Sequence, residues 1–240
     1  MKNPFVDFCA VPCKRREIPL QRIVQARRET MDRMVQGYLQ LMDQEVKDLV
    51  WLVEQSRVVR AYNTACQSIR DLQYDQDDIE EFCTELHSGH KISYGVSGPS
   101  GIFLSALVNQ SQEEQVVLRL AEYDRKLHFL GYRLPEGKTL VLQGDAGNFL
   151  GVDLSGGRLV AEGSTGNWCG AGMMKGQIMV AQNAGEKTGE WMRDGEIRVD
   201  GRIQSLGKNL LGGRIYQRGK LVYPEKPAAE GWEGTDGAAG

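Results

Sequence analysis

The chain has no apolar run near the roughly 18 or more residues that a membrane span needs, so nothing in it reads as one. It has no basic excess. Twenty-nine Lys and Arg stand against 32 Asp and Glu, a net charge of −3, so no electrostatic footprint points to nucleic acid or to an anionic membrane. A disulfide framework is missing too: five cysteines is an odd number, scattered over 240 residues. That usage fits a reducing compartment, and the expectation is a cytoplasmic protein. The opening MKNPFVDFCAVPCKRREIPL is a poor signal peptide, because its short apolar stretch is broken by Asp7 and by prolines.

Glycine is what the chain has in abundance. There are 29, concentrated after Gly131. Before that point the pattern is helical. Leu20, Val24, Met31, Val35, Tyr38, Met42, Val46, Leu49 and Val53 fall in steps that keep one helix face apolar. Pro19 suits the start, and Gly37, inside the run, allows a break there. A second stripe runs Val59, Tyr62, Cys66, Ile69, Leu72. A third runs Ile79, Phe82, Cys83, Leu86, with Asp75 or Asp77 placed to cap it and Gly89 to end it. Residues 1–90 are therefore predicted to be a helical region. Residues 91–136 read as a mixed connecting and capping region. Within it, Ile92 to Val96 suits a short strand, GVSGPSG (95–101) a turn-rich loop, and Ile102 to Val108 a helix or a strand. Val116 to Ala121 and Lys126 to Arg133 suit a hairpin. Residues 224–240, rich in Ala, Gly, Glu and Pro, read as a flexible tail.

Between 137 and 223 the chain repeats itself every nineteen positions. Gly144, Gly163, Gln182 and Gly201 keep this step; so do Gly147, Gly166 and Gly185; Gly151, Gly170 and Gly189; and Gly157, Gly176 and Gly195. A fourth copy is one residue short and carries Gly207, Gly213 and Gly219. Each copy holds an alternating segment: KTLVLQ, RLVAE, QIMVA, EIRVD and RIYQR. Alternation turns Leu140/Leu142, Leu159/Ala161, Ile178/Val180 and Ile197/Val199 to one face. A lone strand cannot hide that face, but a stack of equivalent strands can. Glycines recurring at one place in each coil supply sharp corners and close backbone approach. The fold class predicted is α+β: a helical N-terminal region followed by a single-stranded parallel β-helix of about four coils, right-handed by the general crossover preference. Equivalent residues would stack, Asn148 over Asn167 and Phe149 over Trp168.

GDAGNFLGVDLSGGRLVAEGSTGNWCGAGMMKGQIMV, followed by NAGEKTGEWMRDGEIRV, resembles the GXGXG-motif β-helix. That domain forms the C-terminal part of the glutamate synthase large subunit and most of one formylmethanofuran dehydrogenase subunit. GDAGNFLG and GEWMRDGEIRV look closer to the latter. The resemblance covers about residues 131–223. It implies a packing and assembly element, with the chemistry in other domains or subunits, and it carries over no catalytic, cofactor-binding or metal-binding residue. What it leads one to expect is a non-catalytic scaffold subunit, docked on the larger catalytic subunit of an oxidoreductase or a formyl- or amido-transfer complex. Homo-oligomers through the helices or a β-helix end are a further expectation.

Residues of chemical interest lie elsewhere. Cys9 and Cys13 are spaced within metal-site range but lack a second pair. Cys83, His87 and His90 cluster near a helix end, where ligation competes with a buried cysteine and helix-end histidines. These residues would serve a metal- or redox-sensing enzyme, the alternative to a scaffold; a self-assembling β-helix is a third reading. The loop 95–101 keeps neither nucleotide fingerprint, and GPSG is not a nucleophile elbow, although His128 lies downstream of Ser97 and Ser100. Phe149, Trp168, Trp191 and Met192 would form an apolar strip. It marks an interface if it points outward and a core if it points inward.

Overall fold

The computed structural model describes residues 20–46, 53–92, 95–121 and 125–224. Four helices precede a parallel β-helix. Helix α1 (Leu20–Glu45) buries Met31, Met34, Val35, Tyr38 and Leu41, and leaves Leu20, Ile23 and Val24 exposed at its start. It ends at Glu45, short of the predicted Val53, and it does not break at Gly37. The glycine is there for packing: a Cβ on it would stand 2.7 Å from Ser68 Oγ, on α2 (Gln55–Ile69). Helix α2 buries Val58, Ala61, Ala65 and Ile69, so its inward face includes small alanines beside the predicted stripe. Helix α3 (Gln76–Ser88) starts in a capping box between Asp75 and Asp78 and ends at Gly89 with φ 68°.

The predicted loop at 95–101 is instead the start of α4 (Ser97–Gln110). Pro99 sits in the first turn, where its missing N–H costs nothing. Glycine serves here for proximity, since a Cβ on Gly101 would lie 1.8 Å from the His128 carbonyl oxygen. Every residue from Gly98 to Val108 is buried, so no polar face gives the helix a visible period. Helix α4 seats on the first turn of the β-helix. The Ser97 carbonyl accepts from His128 N–H at 3.0 Å, and Ser105 Oγ accepts from Tyr132 N–H at 3.2 Å. The strand expected at Ile92 to Val96 is not formed at Ile92, Gly95 or Val96; Ser93 and Tyr94 lie outside the described residues.

The predicted hairpin is also absent. Strand β1 (Gln115–Arg119) runs parallel to β2 (Thr139–Gln143), pairing Val116 with Leu140. Lys126 to Arg133 forms no strand; its described residues make the intervening corner. Leu127, Phe129 and Leu130 are buried there, which is why the segment reads as apolar and strand-like. The ladder thus begins at Gln115, ahead of residue 137. It continues through β3 (Ser155–Ala161), β4 (Lys175–Val180), β5 (Glu196–Val199) and β6 (Arg214–Gln217), all parallel. Leu140, Leu159, Ile178, Ile197 and Ile215 stack in register, each fully buried. Each such side chain contributes roughly 1.5–3 kcal/mol of burial.

Each end of the parallel ladder meets a piece from outside the repeat. At β1 the Gln76 side-chain amide acts as a substitute strand. Its Nε2 donates to the Val117 carbonyl at 2.6 Å, and its Oε1 accepts from Val117 N–H at 3.0 Å. Arg119 pairs with Glu80 on the same helix. At the far end β7 (Lys220–Tyr223) folds back antiparallel on β6. Open edges invite further strands; Gln76 blocks β1 at Val117, and β7 is left as the outer strand of the sheet.

Candidate docking cleft

One corner of the β-helix follows a strict backbone rule. In four successive coils three left-handed residues occur at alternate positions: Phe129, Gly131, Arg133; Phe149, Gly151, Asp153; Trp168, Gly170, Gly172; Lys187, Gly189, Trp191. The central residue is always glycine, because its missing side chain would meet the core. A Cβ on Gly170 would come 2.5 Å from Ile197 Cδ1. The other repeat glycines fall into two kinds. Gly144, Gly176, Gly195 and Gly213 also have positive φ. Gly147, Gly157, Gly163, Gly166, Gly185, Gly201 and Gly207 have ordinary φ but touch neighbouring chain so closely that a Cβ would meet an atom at 2.2–2.6 Å.

The residues flanking each central glycine build an aromatic stack. Phe129 and Phe149 lie 4.5 Å apart and 8° from parallel; Phe149 and Trp168 are 5.9 Å apart; Trp168 and Trp191 are 5.6 Å apart. Trp191 does not hold the repeat position of Trp168. That place belongs to Lys187, whose Nζ sits 4.2 Å from the Trp168 ring centroid. Gly172 precedes Trp191 in its own column, and a Cβ on it would stand 2.5 Å from Asp153 Oδ1. Phe149 and Trp168 are half-buried and Trp191 is 50% exposed. Met192 is buried in the core. Of the sequence-predicted strip, three members therefore face outward and one inward.

The stack walls a cleft of about 1010 Å³, closed on its other side by Val53 and Val58 at the start of α2. Met174 and Leu211 add apolar surface, and Arg133, Asp153 and Arg193 add charge. Arg133 Nε lies 4.0 Å from Asp153 Oδ2, and its guanidinium stands 5.2 Å from the Tyr132 ring centroid. Burial pushes the Asp153 carboxyl up from its ordinary range, against the pull of both Arg133 and Arg193. Two guanidiniums thus share one carboxylate, which leaves the cleft cationic. Phe129, Tyr132, Arg133, Asp153, Arg193 and Leu211 were not singled out from sequence. Extending the repeat alignment into the longer first coil would have placed Arg133 and Asp153 in the column of Trp191.

Beside this wall run two side-chain ladders that are structural. Asn148 N–H donates to His128 Nδ1 at 2.9 Å, Asn167 N–H to Asn148 Oδ1 at 2.9 Å, and Glu186 N–H to Asn167 Oδ1 at 2.8 Å. Asp145 Oδ1, Ser164 Oγ and Asn183 Oδ1 likewise accept from the next coil's backbone at Ser164, Asn183 and Arg202. Burial pushes the His128 imidazole down, in keeping with Nδ1 serving as an acceptor.

Cys83 is buried in the helical core, whereas His87 and His90 are exposed. Cys9 and Cys13 lie outside the described residues. Among the described residues no three metal-binding side chains form a cluster. Ser100 is engaged by Tyr38 at 2.8 Å and His128 by Asn148, so GPSG and His128 form no nucleophile–base pair. Burial pushes the Cys169 thiol up to about 12. No helix among the described residues is long and apolar enough to cross a membrane.

Fold and site together define a parallel β-helix protein with a helical cap and an aromatic-walled cleft. No family model matches the chain, nor does any curated protein or solved structure.

Proposed function

We propose that this chain is a non-catalytic interaction subunit of a cytoplasmic multi-subunit enzyme, and that the partner docks in the aromatic cleft. The observation that carries this reading is the outward stack ending in half-exposed Trp191, set in a cleft with Arg133 and Arg193. Tryptophan and arginine at the centre of a concave apolar surface are the side chains that dominate protein interfaces. The rings lie face to face along the coil axis, so most faces are taken up by neighbouring rings and the ring edges line the cleft. A sugar ring needs an open aromatic face, whereas apolar protein side chains pack well against edges. The resemblance to the GXGXG β-helix points the same way, toward an assembly element attached to oxidoreductase or transferase machinery. Self-assembly through the first end of the β-helix is disfavoured by Gln76 at the β1 edge.

The test is purification of the tagged chain from its native host, beside Trp191→Ala and Arg193→Glu variants. The expected result is a catalytic subunit at stoichiometric amounts with the parent and its loss with both variants, each still folded by circular dichroism. Recovery of the parent alone, or equal recovery of the partner with the variants, would overturn the proposal.

A further inference from the structure

The cleft is cationic and apolar, and the last residues of the chain match it in chemistry. Residues 225–240 read EKPAAEGWEGTDGAAG, with four acids, one lysine and a single aromatic, Trp232, between Glu230 and Glu233. The segment leaves the described structure close to the cleft. Tyr223 Oη donates to the Leu210 carbonyl at 3.3 Å, and the next residue, Leu211, lines the cleft. Eight residue-to-residue steps lead from Pro224 to Trp232, and at roughly 3.3 Å each they reach up to about 26 Å. Five coil-to-coil steps of about 4.8 Å would fit within that reach.

The receiving surface is incomplete in a way the segment would answer. Trp191 carries the end of the stack and is half exposed. Arg193 is in no ion pair among the described residues, and it shares the Asp153 field with Arg133. Lys187 adds a third cation above Trp168. Against these stands the carboxylate of Asp153, the one acid among the described cleft-lining residues.

We infer that the chain's own C-terminal segment occupies the aromatic cleft, with Trp232 packed at the Trp191 end and Glu230 and Glu233 facing Arg133 and Arg193. This rests on the docking reading above and deepens it. The segment is an internal competitor, and the external partner is a protein that presents the same combination: an aromatic side chain flanked by carboxylates. Tethering makes the internal contact effective even where a free peptide of this sequence binds weakly.

The test uses the full chain with a photoreactive benzophenone side chain in place of Trp232, irradiated at low concentration and mapped by mass spectrometry. Crosslinks within one chain to the Trp168, Trp191 or Leu211 region are the expected result. Replacing Glu230 and Glu233 by lysine leaves the β-helix untouched and should lower the yield about tenfold, as should Arg193→Glu, the weight of one charge-assisted contact. Crosslinks that join two chains, crosslinks elsewhere, none at all, or a yield indifferent to these charges would each overturn the inference. Its failure is separable from failure of the docking reading. A segment found elsewhere leaves partner capture sensitive to Trp191→Ala, whereas a partner that ignores Trp191 leaves the internal crosslinks in place.

Discussion

Trp191 stacks on Trp168 at a centroid distance of 5.6 Å although the two hold different places in the coil. The residue that repeats Trp168 is Lys187, and the residue that Trp191 repeats is Gly172. The aromatic wall therefore shifts from one column to the next at its last member. The shift leaves Lys187 over the Trp168 ring. A regular ladder has become an asymmetric surface with a defined end.

Removing Trp191 should affect binding far more than folding. Trp191→Ala is expected to cost about 1 kcal/mol in urea denaturation, since half the side chain is already in water. Phe149→Ala, with a ring on each face, should cost about 2–3 kcal/mol, toward the lower end of the aromatic-to-alanine range because Phe149 is half-buried. Equal losses would show that the outer indole is a structural member.

The corner glycines separate strain from crowding. Gly137 has φ 81° and an added Cβ there would meet nothing within 4 Å, whereas Gly170 has φ 66° and Ile197 Cδ1 at 2.5 Å. Gly137→Ala should cost about 1–2 kcal/mol of left-handed strain alone. Gly170→Ala adds overpacking of the core and should cost about 2–5 kcal/mol. Denaturation midpoints at unchanged slope would read the difference.

Gln76→Ala should do two things at once. It strips both partners from Val117 on the exposed side of β1, with a stability loss of about 1–3 kcal/mol. It also reopens a strand edge, so light scattering of the variant should rise with concentration while that of the parent stays flat. A variant that is destabilised without associating would show that the edge is guarded by other means.

Acid should weaken the fold through His128. Its folded pKa lies below the ordinary 6.5 because burial disfavours the cation. The unfolded chain therefore binds more protons below pH 6.5. The stability contribution is fully present above that pH and is lost as pH falls toward and through the lowered folded value. His128→Asn places the ladder's own residue type at the first rung and should flatten this slope between pH 6.5 and the folded value. The Asp145 carboxyl is held low by Lys126 and Ser164 N–H, so its loss belongs to a separate window at and below the carboxylate range. Chemical denaturation at a series of pH values would resolve the two.

The β-helix was legible because its signal is arithmetic. The strands KTLVLQ through EIRVD recur at one constant step, and their inward residues pair in the structure as that step requires. The first coil was hidden because the stretch from Val116 to its partner Leu140 is longer than the repeat and breaks the phase. Helix α4 was hidden for another reason: buried on all sides, it has no polar face to set a period, and its Gly and Pro residues imitate a turn. For the site, Phe149, Trp168 and Trp191 were visible as aromatics in the repeat, but their direction was not. Direction is decided by left-handed backbone on either side of a glycine, a property that residue type alone does not express at Phe149 or Trp168. Arg193 escaped notice because its column, Ser155, Met174 and Arg193, repeats no residue type.

The parallel ladder meets, at its two ends, pieces that do not belong to the repeat, Gln76 of α3 and the strand β7. Coil number is thereby uncoupled from termination. Duplicating one whole coil in the middle would lengthen the molecule by about 4.8 Å and leave both end pieces intact. The protein is in this sense a ruler of adjustable length, on which evolution or design can move the two walls of a docking site apart in fixed increments.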